Sequence, residues 1–152
     1  EIEEPPEDIV EELLARVAPD LLPLIRGARQ AYASNNPDRM RHTITSFREV
    51  LTTLLHRLAP DEEVKRWSTS ADHFTRDGTL IRRARLLYIC RSINHPPFCD
   101  YVQNEVATML SLIDLVQRGT HHIGPPFTEK QLVALKAAIE NMVRQILEIA
   151  LA

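Results

Sequence analysis

The spacing of apolar residues predicts helices along almost the whole chain. Hydrophobic positions recur at steps of three and four, and sustained alternating runs of β-branched residues are missing. The clearest helix start is at Asn36, a good N-cap residue, which is followed by Pro37 at the first helical position. We expect this helix to end at Pro60. Its apolar face comprises Met40, Ile44, Phe47, Leu51, Leu54 and Leu58.

Three further helices are predicted downstream. The first resumes at Thr79 and carries arginines opposite its apolar stripe. The second runs up to Arg118, with Gly119 as the expected left-handed C-cap. The third opens on the capping box of Thr128 and Gln131. Their apolar stripes are Leu80, Ala84, Leu87 and Cys90 or Ile93; Phe98, Val102, Val106, Met109 or Leu110, Ile113 and Val116; and Leu132, Leu135, Ile139, Met142, Ile146 and Ile149.

Shorter helices are expected at residues 7–17, from Asp20 as N-cap to Tyr32, and at residues 61–67, with a loop over residues 68–78. Four long amphipathic helices with short breaks predict an all-α antiparallel helical bundle. We assign residues 36–152 to this bundle and residues 1–35 to an acidic N-terminal helical extension or linker.

Composition narrows the class of protein without identifying an activity. The chain has 152 residues, of which 44% are hydrophobic and 26% charged, and this balance is typical of a globular domain rather than a disordered one. The net charge of -3 does not indicate a nucleic-acid binder, although clustered bases can form a basic face on a mildly acidic protein. Acidic residues concentrate before residue 13, and basic residues at Arg39, Arg41, Arg48 and Arg57 and at Arg76, Arg82, Arg83, Arg85 and Arg91.

Cysteine usage and hydropathy bear on location. Two cysteines do not make a disulfide framework, so we expect a reduced, cytoplasmic setting. No apolar run approaches the roughly 20 residues that span a bilayer, so no membrane association is expected. The chain begins without methionine, and we expect it to be part of a larger parent protein.

Two stretches look like metal sites but are better explained by a helix start and by packing in the core. Residues 60–65 look like a compressed metal-dependent nuclease motif, but acids first and Lys65 later are typical of a helix start. Cys90, His95 and Cys99 do not show the short paired spacings of zinc sites, and Cys90 lies on an apolar stripe. We therefore predict no metal ligands and no cofactor.

The remaining candidate is the turn that contains Arg118, His121 and His122. Histidine exchanges protons near neutral pH, and arginine binds phosphate and stabilises negative charge in a transition state. Cleavage of RNA by its own 2′-hydroxyl needs this equipment and no metal. The alternative is an ordinary polar turn, since a basic residue at a helix C-terminus also complements the helix dipole.

Three segments resemble the predicted pPIWI-associating nuclease family. They are "TITSFREVLTTLLHRLAPDEEVKRW", "RRARLLYICRSINHPPFCDYVQNEV" and "LIDLVQRGTHHIGPPFTEKQLVALKAAIENMVRQILEI". The resemblance covers about residues 39–149. It implies a nuclease domain associated with prokaryotic defence systems.

The end of the chain is also similar to HEPN-type helical domains, many of which are metal-independent endoribonucleases of toxin and abortive-infection systems that act as dimers. This resemblance implies a homodimer that acts on RNA, with catalytic roles for Arg118 and for His121 or His122. Arg48, Arg91 and His95 are additional candidates for binding the substrate. Fewer residues separate arginine from histidine than in the usual motif, so the alternative is a non-catalytic dimerisation or docking domain of a larger defence protein.

Overall fold

The structure, a computed structural model, describes residues 8–118 and 127–152, without the side chains of residues 116–118. Within these ranges the all-α helical bundle is confirmed, and the only β pairing is an isolated bridge between Phe74 and Leu80. None of the described helices is long and apolar enough to cross a membrane. The helices are α1 (Ile9–Val17), α2 (Leu22–Ala33), α3 (Arg39–Leu58), α4 (Asp61–Trp67), α5 (Arg82–Ile89), α6 (Pro96–Arg118) and α7 (Glu129–Leu151).

Helix starts depend on which backbone N–H groups the local side chains satisfy. The capping box that opens α7 is confirmed. Thr128 Oγ1 accepts from the N–H of Gln131 at 3.2 Å, and Gln131 Oε1 accepts from the N–H of Thr128 at 2.9 Å. Asn36 was predicted to cap α3 directly, but its side chain accepts from the N–H of Asp38 at 2.8 Å and closes a turn before the helix. Turn formation thus delays α3 to Arg39.

The start of α2 also differs from the expectation. Asp20 was predicted to be the N-cap, but it lies inside a 3-10 turn over Pro19–Leu21, and α2 begins at Leu22. Proline fixes its own φ and cannot donate a backbone hydrogen bond, so it favours a tight turn at this position. Asp20 then pairs with Arg57 at 3.4 Å, on the surface between this turn and α3.

The apolar stripes meet in one core. Phe47, Leu51 and Leu54 of α3 are fully buried, and α2 packs along α3. The same core includes Leu14 of α1 and Ile25 of α2, and α1 packs against α7. The division at residue 35 stays a prediction, but the described helices before it contribute to the same core as those after it.

Arg85 departs from the predicted charged face of α5. It is buried, and its Nη1 donates to the carbonyl of Ala59, the C-cap residue of α3, at 2.7 Å. Its Nη2 pairs with Asp61 in the first turn of α4, and this hydrogen bond lowers the pKa of the Asp61 carboxyl. The segment at residues 60–65 therefore begins a helix, as its charge order predicted, and Arg85 joins three helices at this point.

Candidate functional site

The predicted catalytic residues lie at the C-terminal end of α6. Arg118 is the last residue of this helix, but its side chain is outside the described part of the structure. His121 and His122 also lie outside the described residues, as does Gly119. Their convergence on one site stays a prediction, and the described residues around the end of α6 give its surroundings.

Arg48 lies beside this end of α6. Its Nη2 is 2.8 Å from Oδ1 of Asp114, which precedes Arg118 by one helical turn. The Arg48 side chain is 40% exposed, so the ion pair contributes at most about 1 kcal/mol to stability. Its Nε is buried and has no hydrogen-bond partner among the described residues. Asp114 therefore fixes the Nη2 side of the Arg48 guanidinium, which stays partly exposed, one helical turn before the backbone of Arg118.

Arg91 and His95 lie at the other end of α6. His95 precedes the helix, and its Nδ1 accepts from the N–H of Phe98 at 3.1 Å, so this side chain caps the first turn. The rise of 1.5 Å per residue puts about 35 Å of helix between His95 and Arg118. The three residues predicted to bind substrate thus fall into two places, Arg48 near Arg118 and the other two far from it.

A second group of side chains, which we call the aromatic cluster, consists of Trp67, His73, Tyr88 and Arg91. The rings of Trp67 and His73 are parallel, with centroids 6.1 Å apart, and Tyr88 meets Trp67 edge-on at 5.6 Å. The Arg91 guanidinium lies 3.8 Å from the centre of the Tyr88 ring. Sequence reasoning singled out Arg91 alone; the single tryptophan beside Arg66 was the available signal for the rest.

Cations without an ion-pair partner are concentrated around the aromatic cluster. Elsewhere in the described chain, lysines and arginines mostly pair with carboxylates. The segment from Arg66 to Arg91 is different, because Arg85 is its only cation with a carboxylate partner among the described residues. Outside it, only Arg16 and Lys130 lack a partner among the described side chains. We call the unpaired cations of this segment the free arginines: Arg66, Arg76, Arg82, Arg83 and Arg91.

Cys90 and Cys99 are buried free thiols. Burial, followed by the neighbouring Cys99, raises the pKa of Cys90 to about 12, so this thiol is protonated at neutral pH. Cys90 therefore behaves as the small apolar residue that its position on the α5 stripe predicted. Among the described residues no group of His, Cys, Asp and Glu side chains is arranged to hold a metal ion.

An apolar stripe remains on the outer face of α6. Tyr101 is 48% exposed and Leu115 is 66% exposed, and Phe98 and Leu112 are exposed as well. Phe98 was predicted to face the core; instead it packs on Tyr101 at the surface, with ring centroids 6.3 Å apart. A groove of about 400 Å³ runs beside the stripe, between α6 and α7.

Comparisons with known proteins identify the family and add no individual relative. Neither the curated proteins nor the solved structures yield a match. The family model described as predicted pPIWI-associating nuclease matches residues 14–148, which run from the middle of α1 to the last turn of α7. The chain therefore belongs to the predicted pPIWI-associating nuclease family.

Proposed function

We propose that this protein is a metal-independent endoribonuclease of a prokaryotic defence system, with its active centre at the C-terminal end of α6. The observation that supports this location is the ion pair of Arg48 with Asp114, because Asp114 precedes Arg118 by one helical turn. The family is a predicted nuclease, and a cluster of arginines next to histidines suits phosphate chemistry.

In this proposal His121 or His122 acts as general base on the 2′-hydroxyl and as general acid on the leaving 5′-oxygen. Arg118 stabilises the negative charge that builds on the phosphate as the 2′-oxygen attacks and the 5′-oxygen leaves. Arg48 supplies a second cation whose position is held by Asp114. The products are a 2′,3′-cyclic phosphate and a 5′-hydroxyl, so the first step consumes no water, and the roles proposed here assign no part of it to a metal ion.

The direct test is incubation of the purified protein with several structured and unstructured RNAs, once in EDTA and once in magnesium. We expect cleavage in both, with a new 5′-hydroxyl that can be phosphorylated directly on one fragment and a 2′,3′-cyclic phosphate that blocks ligation at the 3′ end of the other. RNA that stays intact under both conditions overturns the proposal. Cleavage that disappears in EDTA overturns its metal-independent mechanism.

Replacement of Arg48 with alanine is expected to lower kcat/KM for RNA by roughly 10- to 100-fold, since a hydrogen bond to a charged phosphate contributes about 1.5–3 kcal/mol. Arg57→Ala is the matched control. Arg57 lies on the same helix, is similarly exposed and also pairs with an aspartate, but it is in the last turn of α3, whereas Arg48 is in the middle. Equal activity of both variants and the wild type would remove Arg48 from the site.

A second candidate function, helical dimerisation, is favoured by the outer stripe of α6. Phe98, Tyr101, Glu105, Thr108, Leu112 and Leu115 follow one another at alternating steps of three and four, the spacing of a coiled-coil seam. An antiparallel copy related by a two-fold axis would align Phe98 with Leu115, Tyr101 with Leu112 and Glu105 with Thr108. No like charges would meet in this arrangement, so we propose a second copy of the chain as the partner.

The double substitution Leu112→Glu and Leu115→Glu is expected to convert the dimer into a monomer, because it places charges of one sign in an apolar seam. Sedimentation equilibrium measures the change in molar mass. Val133→Glu, an equally exposed apolar position on α7, should leave the mass unchanged. A wild-type protein that is monomeric at all accessible concentrations rules out the seam. A dimer that cleaves no RNA favours a non-catalytic dimerisation domain over a nuclease.

A further inference from the structure

We propose that the aromatic cluster, together with the free arginines, binds single-stranded nucleic acid and that Trp67 is the platform on which a base stacks. The inference deepens the proposed function, on which it rests, since it names the form of the substrate and a binding surface away from the active centre. Arg91 belongs to this surface, whereas Arg48 belongs to the end of α6.

Trp67 presents a rigid and partly open ring. It is the last residue of α4 and is 40% exposed, although its flanks contact His73 and Tyr88. Among the described residues its indole N–H has no hydrogen-bond partner. A ring fixed by two aromatic neighbours loses little side-chain entropy when a base stacks on it. The indole N–H then offers a donor to the edge of a base or to a phosphate.

Arg91 adds a flat cation to the same surface. Its Nη1 donates to the carbonyl of Tyr88 at 2.8 Å, and its guanidinium lies on the Tyr88 ring. These contacts orient the group without neutralising it, because Arg91 has no carboxylate partner among the described residues. A guanidinium plane of this kind can stack on a base or contact a backbone phosphate.

The turn after α4 brings more positive charge to this side of the protein. The N–H of Ile81 donates to the carbonyl of His73 at 3.0 Å, which places Arg82 next to the backbone of His73. Three carboxylates of the same region have no basic partner among the described residues: Glu63, which accepts from the Tyr88 hydroxyl at 3.0 Å, Asp72, and Asp77, which accepts from Thr75. The five free arginines outnumber them, and a net positive charge around a stacking ring favours a polyanion with accessible bases.

Single-stranded nucleic acid is favoured over two other occupants. The bases of a duplex are stacked on one another and cannot reach a surface ring, whereas the bases of a single strand can. A protein partner that docks on tryptophan and arginine would be expected to bring carboxylates to the free arginines. Such a partner would show no dependence on unpaired bases, and this difference is used in the experiment.

The experiment measures binding separately from cleavage. The probe is an oligothymidylate of about ten nucleotides, which lacks the 2′-hydroxyl that the proposed reaction needs. Binding at about 50 mM salt is followed by anisotropy of the labelled oligonucleotide and, without a label, by fluorescence of Trp67, the single tryptophan of the chain. We expect saturable binding that quenches Trp67, and competition by unlabelled single strands but not by a duplex of the same length.

Trp67→Ala is expected to weaken binding by roughly 5- to 100-fold, the range for loss of one stacked base. Trp67→Phe should recover most of it. Arg91→Ala should weaken binding and reduce the slope of log K against log salt by about 0.7, the value for one lost phosphate contact with a single strand. Ile9→Ala is the matched control, because Ile9 is an equally exposed large apolar residue on α1, outside both the aromatic cluster and the outer stripe of α6.

Three results would overturn the inference. The first is no binding of the oligonucleotide by the wild type. The second is an affinity of the Trp67→Ala and Arg91→Ala variants that equals the affinity of the wild type. The third is competition by the duplex that is as good as competition by the single strand. In the first case, loss of self-association in Trp67→Ala would identify the surface as a protein interface. Binding of the oligonucleotide without cleavage of RNA contradicts only the nuclease proposal. Cleavage of RNA together with oligonucleotide binding that does not depend on Trp67 contradicts only this inference. Circular dichroism of each variant confirms that its helices remain.

Discussion

Replacement of Glu11 with alanine is expected to lower the free energy of unfolding by about 3 kcal/mol, which is a large share of the stability of an ordinary domain. Glu11 lies on α1 and is fully buried. Its Oε1 accepts from Arg26 Nε at 2.7 Å, and its Oε2 accepts from Arg29 Nη1 at 2.9 Å. One carboxylate thus holds two guanidinium groups of α2.

The network continues from α2 to α7. Arg29 Nε donates to Glu140 at 2.8 Å, and Arg29 Nη2 pairs with Asp8 at 2.6 Å. Burial raises the pKa of Asp8, but hydrogen bonds from Arg29 and from the N–H of Glu11, together with the charge of Arg29, leave the pKa below its usual value. Loss of Glu11 leaves two arginines with one carboxylate fewer. Because both remain partly exposed, we expect the lower end of the range for a broken buried pair.

Thermal and urea unfolding measure this effect, and about 3 kcal/mol corresponds to a decrease in Tm of roughly 6–12 °C for a chain of this size. Glu12→Ala is the matched control, because Glu12 is the next residue, is exposed and has no ion pair among the described residues. It should change stability by less than about 0.5 kcal/mol. A double-mutant cycle with Arg26→Ala should show strong coupling, and simple additivity would mean that the buried pair contributes nothing.

The double substitution His121→Ala and His122→Ala is expected to lower the rate of RNA cleavage by roughly 10²- to 10⁴-fold, the usual contribution of general acid–base groups. The physical reason is that no other group assigned to the proposed centre exchanges protons near neutral pH: Arg118 and Arg48 stay protonated. Stability should change little, because neither histidine belongs to an apolar stripe. Single variants assign the general base, since the residue that matters carries almost the whole loss.

The measurement is single-turnover cleavage of one labelled RNA over a range of pH, with melting curves recorded for every variant. His56→Ala is the matched control, because His56 is an exposed histidine in the last turn of α3, whereas the first turn of α3 lies beside the start of α7 through the pair of Arg39 and Glu129. A double variant that cleaves at the wild-type rate refutes the assignment even when Arg118→Ala is inactive. A wild-type rate that is flat between about pH 5 and 8 also contradicts histidine catalysis.

The positions of Arg48 and Arg91 suggest separate roles for the two proposed surfaces. Arg48 pairs with Asp114, but Arg91 lies near the start of α6, about 27 Å along the helix from Asp114, so one phosphate cannot touch both. A single strand of several nucleotides bridges that distance readily. In this picture the end of α6 carries the chemistry, and the aromatic cluster holds the strand at a second point.

Predictions from the sequence were most accurate where the controlling interaction is local. The capping box at Thr128 and Gln131 and the burial of Cys90 follow from residues a few positions apart. Local reading was less accurate where two local interactions compete. Asn36 and Asp20 are good cap residues, but each joins a turn that precedes the helix and so moves the start of that helix by a few residues.

Charged residues were the main source of error. Glu11 was one of many acids in the predicted N-terminal extension or linker, and Arg85 was one of the arginines predicted opposite the apolar stripe of α5. Both are buried, because partners far away in the chain satisfy them: Arg26 and Arg29 for the first, Ala59 and Asp61 for the second. A charge opposite an apolar stripe is usually solvated, because burial of an unpaired charge costs much free energy. Partners such as these offset that cost.

The sequence by itself determined which segments are helical and which residues form the core, since the period of 3.6 residues is written into the chain. It also contained the features that place the protein in the predicted pPIWI-associating nuclease family. Only the tertiary structure decided which charges are buried, that Arg48 and Arg91 lie at opposite ends of α6, and that Trp67, His73 and Tyr88 meet. Those contacts join different elements, and the packing of the helices, rather than any local pattern, brings them together.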